Sequence, residues 1–437
     1  MLTIATPLRR AAAALCLLLL APSSSDAQSI LDTRSRARAK VMLKDVHDAI
    51  KDTYYDPTFH GVDIDARFKE TESKLETAQS LGHAMALIAQ FALDLGDSHT
   101  YFVPPMRAES YDYGWQMQMI GDDCFVTAVK PGSDAEAKGL KPGDRLLRID
   151  VFLPKRGELW KVQYLYYMLS PRTSLKVVVQ SPGAAPRELE LLSKVTRGQK
   201  LVDLRTIDFG SLLGDAAREA NARNKVSRLN DIAIWKLPSF AFDPDGVDAL
   251  VDDVVKGTSS LVLDLRGNGG GMIATLQQIA GRLFDHEVKL GDVKARKSTK
   301  PLVVKPRKTP FTGRMVVLVD SDSGSASELL ARILQIEKRA IVIGDQTAGT
   351  VMLSAHHPMS MGLDTMIFYG ASITRAELIM PDGKSLEKVG VTPDERLLPA
   401  AEDLAAARDP VLARAVAVLG GTLDPYAAGK LFPVEWR

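Results

Sequence analysis

The sequence predicts an α/β layered core, preceded by an amino-terminal helical region and interrupted by a β-rich insert. Three observations carry this. Apolar residues recur at helical spacing from Leu31 to about Leu95, as in Val41, Leu43, Val46, Ile50 and later Leu81, Met85, Ile88, Phe91 and Leu95. Short β-rich runs separated by Gly, Pro and Asp turns fill Tyr111 to Lys194. After about Thr196 strand-like and helix-like segments alternate. At 437 residues the chain exceeds what one core usually holds, so two or three domains are expected.

The first residues read as a secretory signal spanning residues 1–27. Arg9 and Arg10 form a basic start, Ala11 to Ala21 an apolar stretch too short to span a bilayer, and Ser25-Asp26-Ala27 a small-x-small cleavage site. The expected location is therefore outside the cytoplasm, periplasmic or secreted, without stable membrane insertion. Of the two cysteines, Cys16 lies in the signal and Cys124 remains, so no disulfide within one mature chain is expected. A formal net charge of +1, with no long run of like charge, gives no electrostatic reason to expect nucleic acid as a partner.

Residues 28–108 form the helical region, which Gly96-Asp97-Ser98-His99-Thr100 ends and Pro104-Pro105 leads out of in extended form. The β-rich insert, residues 109–195, contains strands at Cys124 to Val129, Arg145 to Ile149 and Leu175 to Gln180. Its segment Ala128-Val129-Lys130-Pro131-Gly132-Ser133 through Ala137-Lys138-Gly139-Leu140-Lys141-Pro142-Gly143-Asp144-Arg145-Leu146 resembles a PDZ domain. That resemblance implies a peptide docked as an added strand, its terminal carboxylate held by N–H groups around Gly114 and Trp115.

Residues 196–400 form the α/β core, followed by a carboxyl-terminal extension, residues 401–437. Its strands are expected at Ile232 to Leu237, Leu261 to Leu265, Met315 to Val319 and Ala340 to Ile343, with helices at Val247 to Val255, Met272 to Phe284 and Ala326 to Ile336. The basic stretch Lys294 to Lys308 reads as a solvated loop.

Two strand-to-helix turns in this core carry chemistry. In Asp320-Ser321-Asp322-Ser323-Gly324-Ser325-Ala326-Ser327-Glu328, a serine sits where helix N–H groups are unpaired and the dipole is positive, so charge developing on a substrate carbonyl is stabilised there. Alone, such a turn reads first as a helix cap, and Glu328 could close a capping box on Ser325. The second turn, Leu263-Asp264-Leu265-Arg266-Gly267-Asn268-Gly269-Gly270-Gly271, lets backbone approach a ligand closely and offers N–H donors. It lacks the Lys-Ser/Thr of a phosphate-binding P-loop, and Met272 stands where the dinucleotide fingerprint needs glycine.

In that order the two turns resemble the tail-specific, carboxyl-terminal processing serine peptidases and their tricorn-like relatives. The resemblance implies an α/β core of the ClpP/crotonase-like type, Ser325 as nucleophile, the amide of Ala326 with that of Gly269 or Gly270 as oxyanion donors, and a protein or peptide substrate that is engaged through its carboxyl terminus. In the processing branch the base resembles a lysine after a Gly-x-x-Thr-x-Gly turn; here Gly344 to Gly349 supplies the turn and Thr350 takes the lysine's place. The tricorn-like branch uses a histidine, which resembles His99, with Ser98 and Glu387 matching its supporting serine and glutamate. His356 and His357 are the fallback bases. A serine hydroxyl needs such a base near neutrality. The missing lysine also motivates a second reading, a non-catalytic ligand- or peptide-binding protein that keeps the fold. No metal motif is present, and no cofactor is expected.

Overall fold

The computed structural model describes residues 31–198, 224–362 and 366–436. The expected signal, residues 1–27, lies outside them. No helix among the described residues is long and apolar enough to cross a membrane.

Three helices open the described chain: Thr33–Thr53, Ile64–Glu76 and Leu81–Leu93. Asp32 caps the first by accepting from Ser35 N–H, and Ser80 caps the third by accepting from His83 N–H. The third is followed, three residues past its end, by Gly96, whose φ of +73° is the left-handed turn that releases the chain toward His99. Its apolar stripe packs with that of the first helix into a core shared with Tyr369, Ala371 and Ile373.

The insert is a five-stranded antiparallel sheet running Trp115–Ile120, Asp123–Val129, Arg145–Ile149, Ser174–Gln180 and Arg187–Leu192. A ribbon of Glu109–Asp112 with Lys194–Arg197 ties its entry to its exit.

The core sheet has six strands in the order Glu395–Arg396, Ile341–Gly344, Arg314–Val319, Ser260–Asp264, Ile232–Lys236 and Lys225–Leu229. All pairs are parallel except the last, which is antiparallel. The central strands are apolar along their length because both faces are covered. Helices Val247–Val255, Ile273–Gly281 and Ala326–Ile336 cover one face. The other is covered by helix Pro410–Val418, whose Val411, Leu412, Ala415 and Val416 pack on Ile232, Ile234, Val262, Val316, Leu318 and Ile343. Helix Pro410–Val418, within the carboxyl-terminal extension, thus forms a layer on the core sheet.

A second sheet joins Tyr101–Val103, Ile367–Ile379, Val288–Ala295 and Thr299–Val304, with Met352–Met361 also paired to Ile367–Ile379. The basic stretch Lys294–Lys308, expected to be a solvated loop, is largely a hairpin of this sheet. Its lysines and Arg296 are exposed and hide the alternation that Leu302 and Val304 keep.

Candidate active site

Three parallel strands deliver three turns at their carboxyl ends, the usual place for a site in an α/β sheet. Ser260–Asp264 runs into the glycine-rich turn, Arg314–Val319 into the Ser325 turn, and Ile341–Gly344 into the Asp345–Val351 turn. The first two are laced together. The Asn268 carbonyl accepts from Gly324 N–H at 2.9 Å and from Ser327 Oγ at 2.8 Å, while Gly267 N–H donates to Asp320 Oδ1 at 2.9 Å.

Ser325 precedes helix Ala326–Ile336 with φ 53° and ψ −116°, a backbone conformation that costs a non-glycine residue of order 1–3 kcal/mol. Its hydroxyl makes no capping hydrogen bond to the helix. Its N–H is held instead, donating to the Thr350 carbonyl at 3.0 Å and to Glu328 Oε2 at 2.9 Å. The strain is therefore sustained by specific partners and leaves the hydroxyl uncommitted.

Glu328 is the residue whose importance sequence reasoning understated. Fully buried, its carboxylate also accepts from Thr347 Oγ1 at 2.5 Å, Gly349 N–H at 2.7 Å and Thr350 N–H at 2.9 Å. Burial pushes its carboxyl above the ordinary range, and those donors oppose the shift. The only sequence signal was a glutamate three residues into a helix, which a capping role explains equally.

Of the two candidate oxyanion glycines, the structure separates one from the other. Gly270 N–H donates to Asn268 Oδ1 at 2.9 Å, so that amide is already engaged and is not a free donor. The amides of Gly269 and Ala326 have no acceptor among the described residues. Gly270, at φ +101°, serves close approach: its carbonyl accepts from Phe240 N–H at 2.8 Å, which braces the loop.

His99 follows the helical region and is half-buried. Its Nδ1 lies 2.7 Å from Ser98 Oγ, and Ser98 Oγ donates to Glu387 Oε2 at 2.8 Å. Glu387 also accepts from Ser98 N–H at 2.8 Å and from Val351 N–H at 2.9 Å. An ionised carboxylate only accepts, so the Ser98 hydroxyl spends its proton on Glu387 and must accept from His99 Nδ1–H. This assigns the tautomer: the Nε2 lone pair is the open one, and Nε2 has no partner among the described residues. His99 and Ser325 share no direct hydrogen bond. They are linked through Glu387, Val351 and the Thr350 carbonyl. Burial, the larger influence, holds the imidazole below its ordinary value, and the Asp97 carboxylate opposes it. Burial also raises the Glu387 carboxyl.

Three other histidines have partners elsewhere. His47 bridges Asp48 and Asp65, His60 contacts Tyr55 and the Leu95 carbonyl, and His286 contacts Asp285. The fallback pair sits on strand Met352–Met361, where His356 is exposed and His357 Nε2 faces Thr53 Oγ1 at 3.5 Å. Thr350, in the lysine's place, spends its N–H on Glu328.

At the expected carboxylate nest of Gly114 and Trp115, one donor already has an acceptor within the chain. Gly114 N–H donates to Asp112 Oδ1 at 2.9 Å, and Ser133 packs so near that a Cβ on Gly114 would stand 2.5 Å from its Cβ. Trp115 is buried. The insert is fastened to the site's turns: Gln118 Nε2 donates to Asp320 Oδ2 at 2.7 Å, Ser321 Oγ to the Met119 carbonyl at 2.6 Å, and Arg156 pairs with Asp345. A cavity of 1920 Å³ between insert and core is lined by Ser98 and Trp115 among the candidate residues.

Residues 231–397 match the model described as Peptidase family S41. The chain is 25% identical over 378 residues to the chloroplastic C-terminal processing peptidase of Tetradesmus obliquus, covering 80% of this chain and 75% of that one. It is 25% identical over 315 residues to the tail-specific protease of Haemophilus influenzae, covering 68% of this chain and 43% of that one. The crystal structure of mature CPAF superposes with a TM-score of 0.63 at 16% identity, covering 85% of this chain and 95% of that one, which shows a common fold. With the matched segment running from the core's Ile232 strand through the Ser325 turn to Glu387, residues 231–397 form a peptidase family S41 domain and the chain is a serine-type peptidase.

Proposed function

We propose that this chain is an exported serine endopeptidase in which Ser325 attacks the peptide carbonyl with His99 as general base. The observation that carries the reading is the relay from His99 Nδ1 through Ser98 Oγ to Glu387, which leaves Nε2 as the only ring nitrogen able to take a proton. Nε2 accepts the Ser325 proton, and the resulting imidazolium is stabilised by the Ser98–Glu387 pair. The tetrahedral oxyanion is met by the uncommitted amides of Gly269 and Ala326, whose donors are fixed before the reaction and need no reorganisation. His99 then returns the proton to the leaving amine, and water repeats the sequence on the acyl-enzyme. Export rests on the Arg9–Ala27 pattern.

The reading is supported by the surroundings of the alternative bases: Thr350 is neutral, His356 is exposed and His357 Nε2 faces Thr53 Oγ1. Incubation of the folded protein with a fluorophosphonate probe tests it: labelling at Ser325, lost in Ser325→Ala and strongly slowed in His99→Ala, is expected. A folded wild type that stays unlabelled overturns it.

A further inference from the structure

We infer that Asp97 is the positioning residue of His99, joined through Tyr54 to the first helix, so that the helical region sets the orientation of the catalytic base. This rests on His99 being that base. Asp97 is buried. Its Oδ1 accepts from His99 N–H at 2.9 Å, Thr100 N–H at 2.8 Å and Thr374 Oγ1 at 2.6 Å, and its Oδ2 accepts from Tyr54 OH at 2.8 Å.

Those four contacts come from three parts of the fold. Two belong to the turn itself, where an aspartate bonding the N–H groups two and three residues on makes an Asx turn and fixes the backbone beneath the imidazole. Thr374 belongs to strand Ile367–Ile379, and also shares its N–H and Oγ1 with Thr100 Oγ1, each at 3.1 Å. Tyr54 is the residue at the carboxyl end of helix Thr33–Thr53, fully buried and stacked on Phe59. Its hydroxyl has burial and Asp97 both raising its pKa, so it stays protonated and donates. The neighbouring Tyr55 repeats the anchorage, with its N–H on the Thr374 carbonyl at 3.1 Å. Ser98 and Glu387 orient one edge of the ring; Asp97 holds the chain from which the ring hangs.

A merely structural aspartate would be indifferent to the ring's protonation, and this one is not placed to be. Its charge favours the imidazolium and opposes the effect of burial on the ring. The other charged or titratable groups facing this turn are Glu387 and Lys388 from the loop after Ser385, Glu377 from strand Ile367–Ile379, and Tyr54, Tyr55, Asp56 and His60 from the helical region. Removing the Asp97 charge while keeping its shape therefore lowers the His99 pKa. Removing the Tyr54 hydroxyl leaves that charge less neutralised and raises it.

The test compares Asp97→Asn and Tyr54→Phe with wild type, reading the His99 ring titration by NMR and the rate of fluorophosphonate labelling of Ser325 against pH. The expected result is opposite displacement of the His99 titration, downward in D97N and upward in Y54F, with labelling in D97N slowed about tenfold at its plateau by misplacement of the ring. Titrations unmoved in both variants, or moved in one direction, overturn the proposal. If D97N does not fold, Y54F decides alone: an unmoved or lowered titration overturns it. The NMR titration requires no activity, so failure here is separable from failure of Ser325 to label, which would overturn the underlying reading.

Discussion

Gly270 lies so close against Ser325 that a Cβ built on it would stand 2.6 Å from Ser325 Cβ and 2.9 Å from Ala326 N. No real pair of atoms tolerates the first of those distances, and Ala326 N is one of the two uncommitted amides. The glycine is therefore required by proximity to the nucleophile, and its φ of +101° adds a second reason. Gly270→Ala is expected to slow fluorophosphonate labelling of Ser325 at least about a hundredfold, the scale of losing an oxyanion donor. Circular dichroism should show a folded protein destabilised by about 1–3 kcal/mol from the forced backbone.

Glu328 gives a different outcome because every group facing it is a donor. Glu328→Gln keeps the shape and turns one acceptor into an NH2 that points at N–H or hydroxyl groups of Ser325, Thr347, Gly349 and Thr350. A buried mismatch of this kind costs about 1–3 kcal/mol. Denaturant unfolding should therefore show lower stability, and labelling should fall as well, because the same carboxylate holds the N–H of Ser325.

How much of this could be read from the sequence follows from how each element is buried. Strands Ser260–Asp264 and Arg314–Val319 are covered on both faces, so their apolar runs are continuous and their ends stand out against Gly, Asp and Ser. Ser325 and the glycine loop were legible for that reason. The hairpin Val288–Val304 was not, since it lies at the edge of its sheet with lysines exposed on the pleat. Helix Pro410–Val418 has a clear periodicity, yet nothing local says that it closes the second face of the core sheet. The relay is harder still. Ser98 and Glu387 make two hydrogen bonds across a separation of 289 residues, and only the fold brings them together. Even the donors needed the structure: Gly114 and Gly270 are glycines in turns, and in each the N–H is consumed by an aspartate or asparagine two residues earlier.

Arg266 ties the closing helix to the active-site loop. Its guanidinium donates to Asp264 Oδ2 at 2.8 Å and to Asp409 Oδ2 at 2.7 Å, and Asp409 caps helix Pro410–Val418. Arg266 and Lys236 hold the Asp264 carboxyl far below the ordinary range against the cost of its burial. Arg266→Ala leaves that charge poorly compensated and should cost about 3–5 kcal/mol in denaturant unfolding at neutral pH. Because the folded pKa is depressed, the ion pair's contribution is present above the ordinary carboxylate pKa and fades as pH falls below about 4. The gap between wild type and variant should accordingly narrow in acid; a gap independent of pH would exclude this origin.

The relay itself predicts a pH signature. His99 must be neutral to accept a proton, and burial lowers its pKa below the ordinary imidazole value, so labelling of Ser325 should rise with pH through a midpoint on the acid side of 6.5. Above that midpoint the base is fully available, and no loss is expected until the protein itself unfolds. Ser98→Ala removes the acceptor of His99 Nδ1–H and the donor that Glu387 Oε2 receives, so the ring is free to present the wrong nitrogen to Ser325. A plateau rate reduced about a hundredfold is expected, on the reasoning that a misassigned tautomer removes the base without removing the oxyanion donors. Labelling that is unchanged in Ser98→Ala would mean that the imidazole is oriented by something other than Ser98 and Glu387. In that case the backbone hold exerted by Asp97 on His99 would have to carry the orientation alone.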